Sequence, residues 1–598
     1  MIHIGIDIGH GETSVSRTPG YNDEITSRIA LNRGSHVRDM KVVSAICRNS
    51  KEDPWRFVLN DLDYQSAEIR EGFKGKVDKD DTDREALGEF VKLIFNTILA
   101  NDKELSYNPE TGEANFDICI ACPSDWRNSG SSMPEKYLRF FRDTYGIKPI
   151  KMCINESDAA FYTKFHKYKQ DDSVLVIDLG SSTIDFTTYS GNYCRKDLCW
   201  GANLGAHIIE DKLIEKGYEF DYNIERMKRV EQERDNTGQG PVSQGLSLLV
   251  RKAKEDYFTT KQYKNKLPFV AEVSVRQLVK GWQGKLTEKA FILELEFDEF
   301  NEVISEYKQQ LKTMLEFAAK KLGGQDVKPN YILLSGGASR MDFVHNFAKE
   351  AFPNATIDVD STPEWVVSDG ASKYINTWCE VQNEIEKLKQ EFRKWANDNL
   401  VPIVKTETLK AFEEALRLEL RWRFDQYYLN NTNNGTNLKA FQKIAIEAIE
   451  NSTKTPEFID NANNRFISSI NGQIVSKMQE IILKLFKKKV TIDAVFVDPG
   501  DFFKDFTAST EAIKENIQGM ASELFNTWFE TMFNDDYINW DKERTDYERK
   551  LIVDKACEVL PSGYYVTFDE SIVNKWIEEA CDSIQTILIA NGLFEITI

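Results

Sequence analysis

A four-residue pattern that occurs twice restricts this chain to a small number of folds. Ile6-Asp7-Ile8-Gly9 and Ile177-Asp178-Leu179-Gly180 each close an apolar run and open a turn of small polar residues. In both places a strand pattern, over 2–8 and 174–179, brings one carboxylate to its C-terminal end. The residues that follow are small enough for backbone amides to reach an anion. The repeat therefore predicts two phosphate-binding loops that face one nucleotide.

The order of the predicted elements indicates a duplication. From residue 1 to about 378 the order strand–strand–strand–helix–strand–helix–strand–helix occurs twice. The first copy has strands at 2–8, 13–18 and 42–47, a helix at 84–101, a strand at 116–122, a helix at 134–145, a strand at 150–154 and a helix at 156–168. The second copy has strands at 173–178, 183–190 and 193–199, a helix at 203–217, a strand at 330–335, a helix at 340–351, a strand at 355–358 and a helix at 363–378. Strands joined by crossover helices need a sheet that is covered on both faces, so each half should be a layered α/β lobe. The lobes would span about 1–170 and 171–378, with a ligand between them. Inserts are predicted at about 50–82 and at about 218–298, and the second insert carries one helix and two strands.

The region from about 379 to 598 has a different pattern, because long helical periodicities dominate it. Predicted helices cover 380–399, 407–429, 438–451 and 467–489. A polar run at 430–437 separates two of them. The last hundred residues are rich in aromatic side chains, which predicts packing rather than disorder. These aromatics include Trp528, Phe529, Phe533, Trp540 and Trp576.

Composition excludes several classes of partner. The formal charge of -20 and the pI near 5.0 argue against a nucleic-acid or anionic-membrane binder, since both depend on basic surface. We find no apolar run long enough to span a bilayer and no signal core at the N-terminus. Nine cysteines without framework spacing are typical of reduced thiols, so we expect a soluble cytoplasmic protein. Cys119 and Cys122 lie in a strand pattern, which favours core packing over metal or redox chemistry.

The turns themselves favour an unusual kind of nucleotide site. Neither a P-loop nor a Rossmann glycine motif follows the first strand. Instead, 7–13 leads directly into another strand, so phosphates would rest in a hairpin turn, and 178–185 repeats that design. A third turn, Ser335-Gly336-Gly337-Ala338-Ser339-Arg340, follows an apolar strand, and its glycines allow the backbone to approach a ligand closely.

These segments resemble the seventy-kilodalton heat-shock chaperones and, more broadly, the superfamily of actin, sugar-kinase and chaperone ATPases. The resemblance covers about residues 1–378. It implies a duplicated actin-like ATPase domain of class α/β, with two lobes around a nucleotide cleft, followed by an all-α C-terminal region. The matching segments, in family order, are Gly5-Ile6-Asp7-Ile8-Gly9, Asn155-Glu156-Ser157-Asp158-Ala159-Ala160, 178–185, Asn203-Leu204-Gly205-Ala206, 334–340 and Ser368-Asp369-Gly370-Ala371-Ser372.

The resemblance implies ATP or ADP held with Mg²⁺. Asp7, Glu156 and Asp178 would surround a hydrated Mg²⁺, which prefers oxygen ligands. Hydrolysis would depend on Lys74, Glu156, Asp178 and Thr183, with Lys76 as an alternative to Lys74 for the lysine that reaches the γ-phosphate. The residues expected to contact the nucleotide are Gly9, His10, Gly11, Gly180, Ser181, Ser182, Asp185, Gly205, Ala206, Lys254, Gly336, Gly337, Ala338, Ser339 and Arg340.

Departures from the family pattern shape the functional hypothesis. The insert helix keeps only Lys254 of the residues that usually face adenosine, and no string of short strands follows Trp378. We therefore predict a divergent chaperone-like ATPase whose nucleotide state is coupled to a helical C-terminal region that binds a partner protein. Two alternatives stay open, a filament-forming actin-like protein and a nucleotide-binding pseudo-ATPase scaffold. A sugar kinase has the least support, because the first half has no convincing acceptor-site carboxylate motif.

Overall fold

The computed structural model divides into two compact units, one of which is Met1–Glu380, while the second begins at Val381. The structure describes residues 1–18, 26–32, 40–60, 63–73, 81–123, 126, 132–164, 167–169, 171–191, 193–236, 242–360, 362–430, 436–437, 443, 447, 455–487, 489–498, 537–538 and 570–590.

The first unit is a mixed α/β unit. Its strands are β1 (Ile2–Ile8), β2 (Glu12–Thr18), β3 (Ser27–Arg28), β4 (Val42–Val43), β5 (Ala45–Arg48), β6 (Arg56–Phe57), β7 (Glu68–Glu71), β8 (Phe116–Cys122), β9 (Ile150–Asn155), β10 (Ser173–Leu179), β11 (Ile184–Ser190), β12 (Tyr193–Cys194), β13 (Trp200–Ala202), β14 (Phe269–Ser274), β15 (Lys289–Leu295), β16 (Tyr331–Ser335) and β17 (Thr356–Val359).

Its helices lie between and after these strands. They are α1 (Asp81–Asn101), α2 (Met133–Arg139), α3 (Glu156–Tyr162), α4 (His207–Tyr218), α5 (Asp221–Asn236), α6 (Ser243–Thr259), α7 (Val275–Leu278), α8 (Phe297–Val303), α9 (Ser305–Gly324), α10 (Asp342–Ala351) and α11 (Val366–Asn430), the last of which continues beyond the unit.

Two six-stranded sheets in this unit share one arrangement. The first has the order β3-β2-β1-β8-β9 with β4 on β2, and the second has the order β12-β11-β10-β16-β17 with β13 on β11. In each sheet the central strand pairs antiparallel with the strand that follows it and parallel with a later one. The central strands are buried almost throughout, as their continuous apolar runs predict.

Helices α3 and α11 each pack on the sheet of the other half. On α3, the Ser157 hydroxyl accepts a hydrogen bond from Thr187 of β11 at 2.8 Å. On α11, the Ser368 hydroxyl accepts one from Ser14 of β2 at 2.9 Å. The two helices touch at Gly370, where an added Cβ would lie 1.7 Å from a backbone carbonyl oxygen of α3. This close crossing requires glycine.

Most predicted elements of the first unit are confirmed, and the differences have local causes. The predicted strand over 42–47 is interrupted at Ser44, whose polar groups turn toward the β1–β2 turn. Of the predicted strand over 193–199, only Tyr193–Cys194 is a strand, and a 3-10 turn, Lys196–Leu198, follows it. The helix predicted over 156–168 ends at Tyr162. The helix predicted over 340–351 begins at Asp342, after a 3-10 turn.

Four of the described helices of the first unit were not predicted, α5, α7, α8 and α9, and α5 and α9 are the longest of them. Charged residues fill most of α5, which leaves only a narrow apolar stripe including Met227 and Val230. In α9, Leu311, Leu315 and Leu322 follow helical spacing and are buried, so the signal was present there.

The described part of the second unit is mainly helical. It contains the rest of α11, α12 (Pro456–Phe486) and α13 (Glu570–Ala590), together with a two-residue ladder between β18 (Thr436–Asn437) and β19 (Tyr537–Ile538). The helices predicted over 380–399 and 407–429 form one helix, because buried Leu400, Val404 and Phe412 continue the same face. Helix α12 begins earlier than the predicted residue 467, at a cap formed by Thr455.

An apolar core joins the helices of the second unit. Trp576 is buried, and its indole N–H donates to the carbonyl oxygen of Asp498 at 3.1 Å, so this predicted aromatic is confirmed as packed. Arg393 and Glu578 form an exposed ion pair between α11 and α13. Most of the predicted helix over 438–451 lies outside the described residues, as do Trp528, Phe529, Phe533 and Trp540.

Helices that could cross a membrane are absent from the described part of the chain, since none combines the necessary length with the necessary apolar character.

Candidate functional site

The first predicted phosphate loop is the turn between β1 and β2, and Ser44 holds it in place. The Ser44 N–H donates to the Gly11 carbonyl at 3.0 Å, and the Ser44 hydroxyl donates to the Gly9 carbonyl at 2.5 Å. An added Cβ on Gly9 would lie 2.5 Å from the Glu12 carbonyl oxygen, so the turn is tight. Sequence reasoning missed Ser44, although a polar residue inside an apolar strand pattern was a usable signal.

The second predicted loop, over 180–183 between β10 and β11, is closed by its own backbone and held from outside. The Gly180 N–H donates to the Thr183 carbonyl at 2.9 Å. The Ala206 N–H donates to the Gly180 carbonyl at 3.2 Å, and the His207 N–H donates to the Ser181 carbonyl at 2.9 Å. The start of α4 therefore fixes this turn, which brings two of the sequence-predicted motifs into contact.

Gly205 makes that contact possible. A Cβ added to Gly205 would lie 2.0 Å from the Ser181 carbonyl oxygen and 2.3 Å from the Ser182 carbonyl carbon. Both are backbone atoms that cannot rotate away, and real Cβ atoms do not approach this closely. Gly205 therefore has a specific structural role beside the second loop.

The two loops lie against each other. A Cβ built on Gly11 would be 3.8 Å from the Cβ of Ser181, which is ordinary van der Waals contact. The hydroxyl oxygens of Ser181 and Ser182 are buried and have no hydrogen-bond partner among the described residues. Buried hydroxyls nearly always bond to something, and an anion such as a phosphate is a suitable acceptor. The donor set at this junction therefore fits a bound phosphate.

Two carboxylates face each other beside the second loop. Asp178 of β10 pairs directly with Asp185 of β11 in the strand register, and each is only 6% exposed. The Thr183 hydroxyl donates to Asp185 at 3.0 Å. Like charges directly opposite on paired strands are destabilising, and buried carboxylates need compensation. A divalent cation suits this pair of side chains.

The other two predicted magnesium ligands also share one neighbourhood. Tyr137 is fully buried, and burial is the largest cause that raises its pKa well above the usual value. Neighbouring acidic groups raise the pKa further, and Cys122, Glu156 and Asp7 are among them. Asp7 at the end of β1 and Glu156 at the start of α3 therefore both lie near this phenol.

The third predicted turn packs on the end of β10, just before the second loop. Gly336 has a φ of 80°, which favours glycine, and its added Cβ would lie 2.4 Å from the Leu179 carbonyl oxygen and 2.8 Å from Asp178 Oδ1. The Ser339 hydroxyl donates to the Gly336 carbonyl at 2.7 Å. A Cβ added to Gly337, in contrast, would have no contacting atom within 4 Å, so the space beside Gly337 is open.

Arg340 is held by Glu364, which lies outside the predicted motifs. Its guanidinium makes a forked pair with Glu364, with Nη2–Oε1 at 2.5 Å and Nε–Oε2 at 3.1 Å. Burial alone would raise the pKa of Glu364, but the hydrogen bonds from Arg340 and the charge of Lys41 lower it below its usual value. The pair fixes the direction of the guanidinium.

Lys254 belongs to a buried charge network. Glu210 accepts from Lys254 Nζ at 2.6 Å and from Arg251 Nε at 2.9 Å. Lys254 Nζ also lies 3.3 Å from the Ala206 carbonyl oxygen, so this lysine supports the start of α4 behind the second loop. The residue after Lys254 on α6 is Glu255. Its burial, and to a smaller extent the charge of Glu12, raises the pKa of Glu255 to about 7. The expected contact of Lys254 with a nucleotide stays a prediction.

The predicted lysines of the first insert, Lys74 and Lys76, lie outside the described residues. The described residues just before these lysines approach the first loop. Gly72 has a φ of 69°, and its added Cβ would lie 3.2 Å from His10 Cε1. His10 therefore packs beside the insert.

The mixed α/β architecture and the three converging turns are compatible with an actin-like ATPase fold. No protein-family model matches the chain. Among curated proteins, the chaperone protein dnaK of Cyanidium caldarium is 27% identical over 234 residues, which are 37% of this chain and 34% of that protein. A chaperone protein DnaK of Thermus thermophilus is 26% identical over 233 residues, 38% of this chain and 34% of that protein.

The matched region thus spans about a third of the length of these curated relatives. The similarity supports a distant relationship to the seventy-kilodalton heat-shock chaperones.

Proposed function

We propose that the first unit is a duplicated actin-like ATPase domain, with lobes at about 1–170 and 171–378, that binds ATP or ADP with Mg²⁺ and hydrolyses ATP slowly. One observation carries this proposal. The two repeated turns meet at Gly11 and Ser181, and the hydroxyls of Ser181 and Ser182 are buried there without a partner among the described residues. The similarity to two DnaK proteins supports the same conclusion.

Each group of residues has a role in this proposal. Backbone amides of the two loops and the Ser181 and Ser182 hydroxyls bind phosphate oxygens, while the third turn receives the adenosine. Asp7, Glu156 and Asp178 hold a hydrated Mg²⁺, which would neutralise charge on the phosphates. Thr183, Glu156 and Asp178 would position the attacking water, and Lys74 would contact the γ-phosphate.

The nucleotide state would reach the C-terminal region through α11. Ser368 of this helix bonds to β2 beside the first loop, and the helix continues without a break to Asn430. On its later turns Leu418 and Trp422 are exposed, at 45% and 57%, one helical turn apart. We propose that this region binds a partner protein and that α11 transmits the nucleotide state to it.

Limited proteolysis tests the coupling. The cleavage pattern of 379–598 should change when ATP and Mg²⁺ are added, and identical patterns would contradict the coupling while leaving the ATPase intact.

Single-turnover hydrolysis tests the ATPase itself. ATP bound to the wild-type protein should be hydrolysed with Mg²⁺, and Asp178→Ala should abolish turnover. Asp221→Ala, which removes an exposed carboxylate at the start of α5, is the matched control and should behave as wild type.

Tight binding without turnover in the wild type would favour a pseudo-ATPase scaffold, and nucleotide-dependent sedimentation would favour a filament. No binding at all would contradict the proposal.

A further inference from the structure

A second cluster of metal-binding side chains lies in the first unit, away from the predicted loops. His3, Asp117 and Cys379 each offer one ligand atom, and these atoms all lie within 4.8 Å of one another. Cys379 Sγ is 3.9 Å from Asp117 Oδ2. The three residues are distant in sequence, so no spacing motif could have indicated them.

The fold brings the three residues together for identifiable reasons. His3 of β1 and Asp117 of β8 are direct partners in the parallel register. Gly5 lies on the same face of β1 as His3, since side chains alternate along a strand. Helix α11 packs closely on that face. A Cβ added to Gly5 would lie only 2.4 Å from the backbone nitrogen of Ser372. Cys379 follows two turns later on the same helix.

The histidine provides independent evidence for a ligand. His3 is only 5% exposed, and its Nδ1 is buried without a hydrogen-bond partner among the described residues. A buried imidazole nitrogen normally has a partner, because leaving it unsatisfied costs the full desolvation penalty of the group. A metal ion bound to Nδ1 would satisfy it.

We propose that His3, Asp117 and Cys379 bind a Zn²⁺ ion that fastens α11 to the β1–β8 sheet. Nitrogen, thiolate and carboxylate ligands are those that Zn²⁺ uses, and three protein ligands leave one position for water. With standard zinc–ligand lengths and tetrahedral angles, the ligand atoms should be roughly 3.3–3.7 Å apart. The distance between Cys379 Sγ and Asp117 Oδ2 is already within a few tenths of an ångström of that range.

Nearby positive charges compete with the metal, and Lys151 and the N-terminal ammonium are two of them. Lys151 Nζ lies 3.9 Å from Asp117 Oδ1, and its side chain is 49% exposed. It can swing into water when a metal binds, because a long exposed lysine loses little by leaving a weak ion pair. Metal binding also needs the Cys379 thiol to lose its proton.

The test is binding of Zn²⁺ and Co²⁺ to the full chain, purified under reducing conditions, stripped of metal and without an N-terminal tag. One Zn²⁺ should bind per chain in competition with a chromophoric chelator. Co²⁺ should give a thiolate charge-transfer band and the intense visible bands of a tetrahedral site. Cys379→Ser should abolish the charge-transfer band. Removal of a direct ligand should weaken Zn²⁺ binding by more than the roughly 10–100-fold that outer-shell partners are worth.

Two further variants keep the result interpretable. His3→Gln removes the second ligand, so a failure of Cys379→Ser to fold would not end the test. Cys199→Ser is the matched control, since Cys199 is a half-buried thiol just before β13, away from the cluster, and the variant should bind Zn²⁺ as wild type does. Zn²⁺ should also raise the melting temperature of wild type and Cys199→Ser, but not that of His3→Gln.

Wild type that binds no Zn²⁺, or a cobalt spectrum that is unchanged in Cys379→Ser, would overturn the proposal. Neither result depends on nucleotide binding.

Discussion

Substitution of Gly205 by alanine should damage the second loop directly. The new Cβ would lie 2.0 Å from the Ser181 carbonyl oxygen, so the backbone of 180–183 and the start of α4 must separate. That separation removes the hydrogen bonds from Ala206 to Gly180 and from His207 to Ser181. Each such bond is worth about 0.5–1.5 kcal/mol, so the substitution should cost about 1–3 kcal/mol. Where ATP binding has to restore the loop, this cost opposes binding, and at 1.4 kcal/mol per tenfold change ATP affinity should fall roughly 5–150-fold.

Isothermal titration with ATP and Mg²⁺, together with thermal unfolding, measures both effects of this substitution. The matched control is Gly323→Ala in α9, where an added Cβ meets nothing within 4 Å. That control should bind ATP and melt as wild type does, or slightly higher, since alanine favours helix. If Gly205→Ala bound ATP with unchanged affinity and had the same melting temperature as the control, the assignment of this turn to the nucleotide site would be refuted.

Three more predictions address the ligand, the charge network and the second unit. Gly337→Ala should leave the melting temperature unchanged, because the space is open in the protein, but should weaken ATP binding if the nucleotide approaches there. Glu210→Gln should cost about 3–5 kcal/mol in urea unfolding, since Lys254 would stay buried without its charged partner and Arg251 would keep only Glu71, at 3.5 Å. Burial opposes ionisation of Glu210, but Lys254 and Arg251 together lower its pKa in the folded protein below the ordinary value. The ionised carboxylate therefore contributes its full stabilisation above the pKa of an unfolded glutamate, about 4.3. That stabilisation is lost as the pH falls through the lower pKa of the folded protein. The Gln variant should therefore lose less stability between neutral and acid pH. Trp576→Ala should cost about 3–5 kcal/mol, because the indole is buried in the second unit.

Much of the first unit was predictable because its signals are local. Apolar runs of strand length marked β1, β8, β10 and β16, and glycine turns after them marked all three loops. Asp178 and Gly336 lie in two separate sequence motifs, and the structure brings the two residues into contact. Local patterns and their order are the information that a single sequence carries best.

The supporting residues were not predictable, since their roles depend on contacts between distant segments. Ser44, Glu210 and Glu364 hold the first loop, the start of α4 and the third turn. Glu210 and Glu364 look in sequence like ordinary polar residues near element ends, and of the three only Ser44 carried a local signal, as a polar residue inside an apolar strand pattern. The His3 cluster was hidden for the same reason, because Cys379 is 376 positions away and meets His3 only through the packing of α11. The prediction divided α11 into separate helices, whereas the structure has one helix that contains Pro402 and keeps a continuous buried face.

The most direct test of the central claim is the affinity of the full chain for ATP, measured with Mg²⁺ and again with excess EDTA, beside Asp178→Ala. We expect one ATP per chain, with binding that depends on Mg²⁺ and is weakened by the substitution. Equal affinity in all three cases, or no binding to the wild type, would contradict the assignment of the facing loops to a magnesium-nucleotide site.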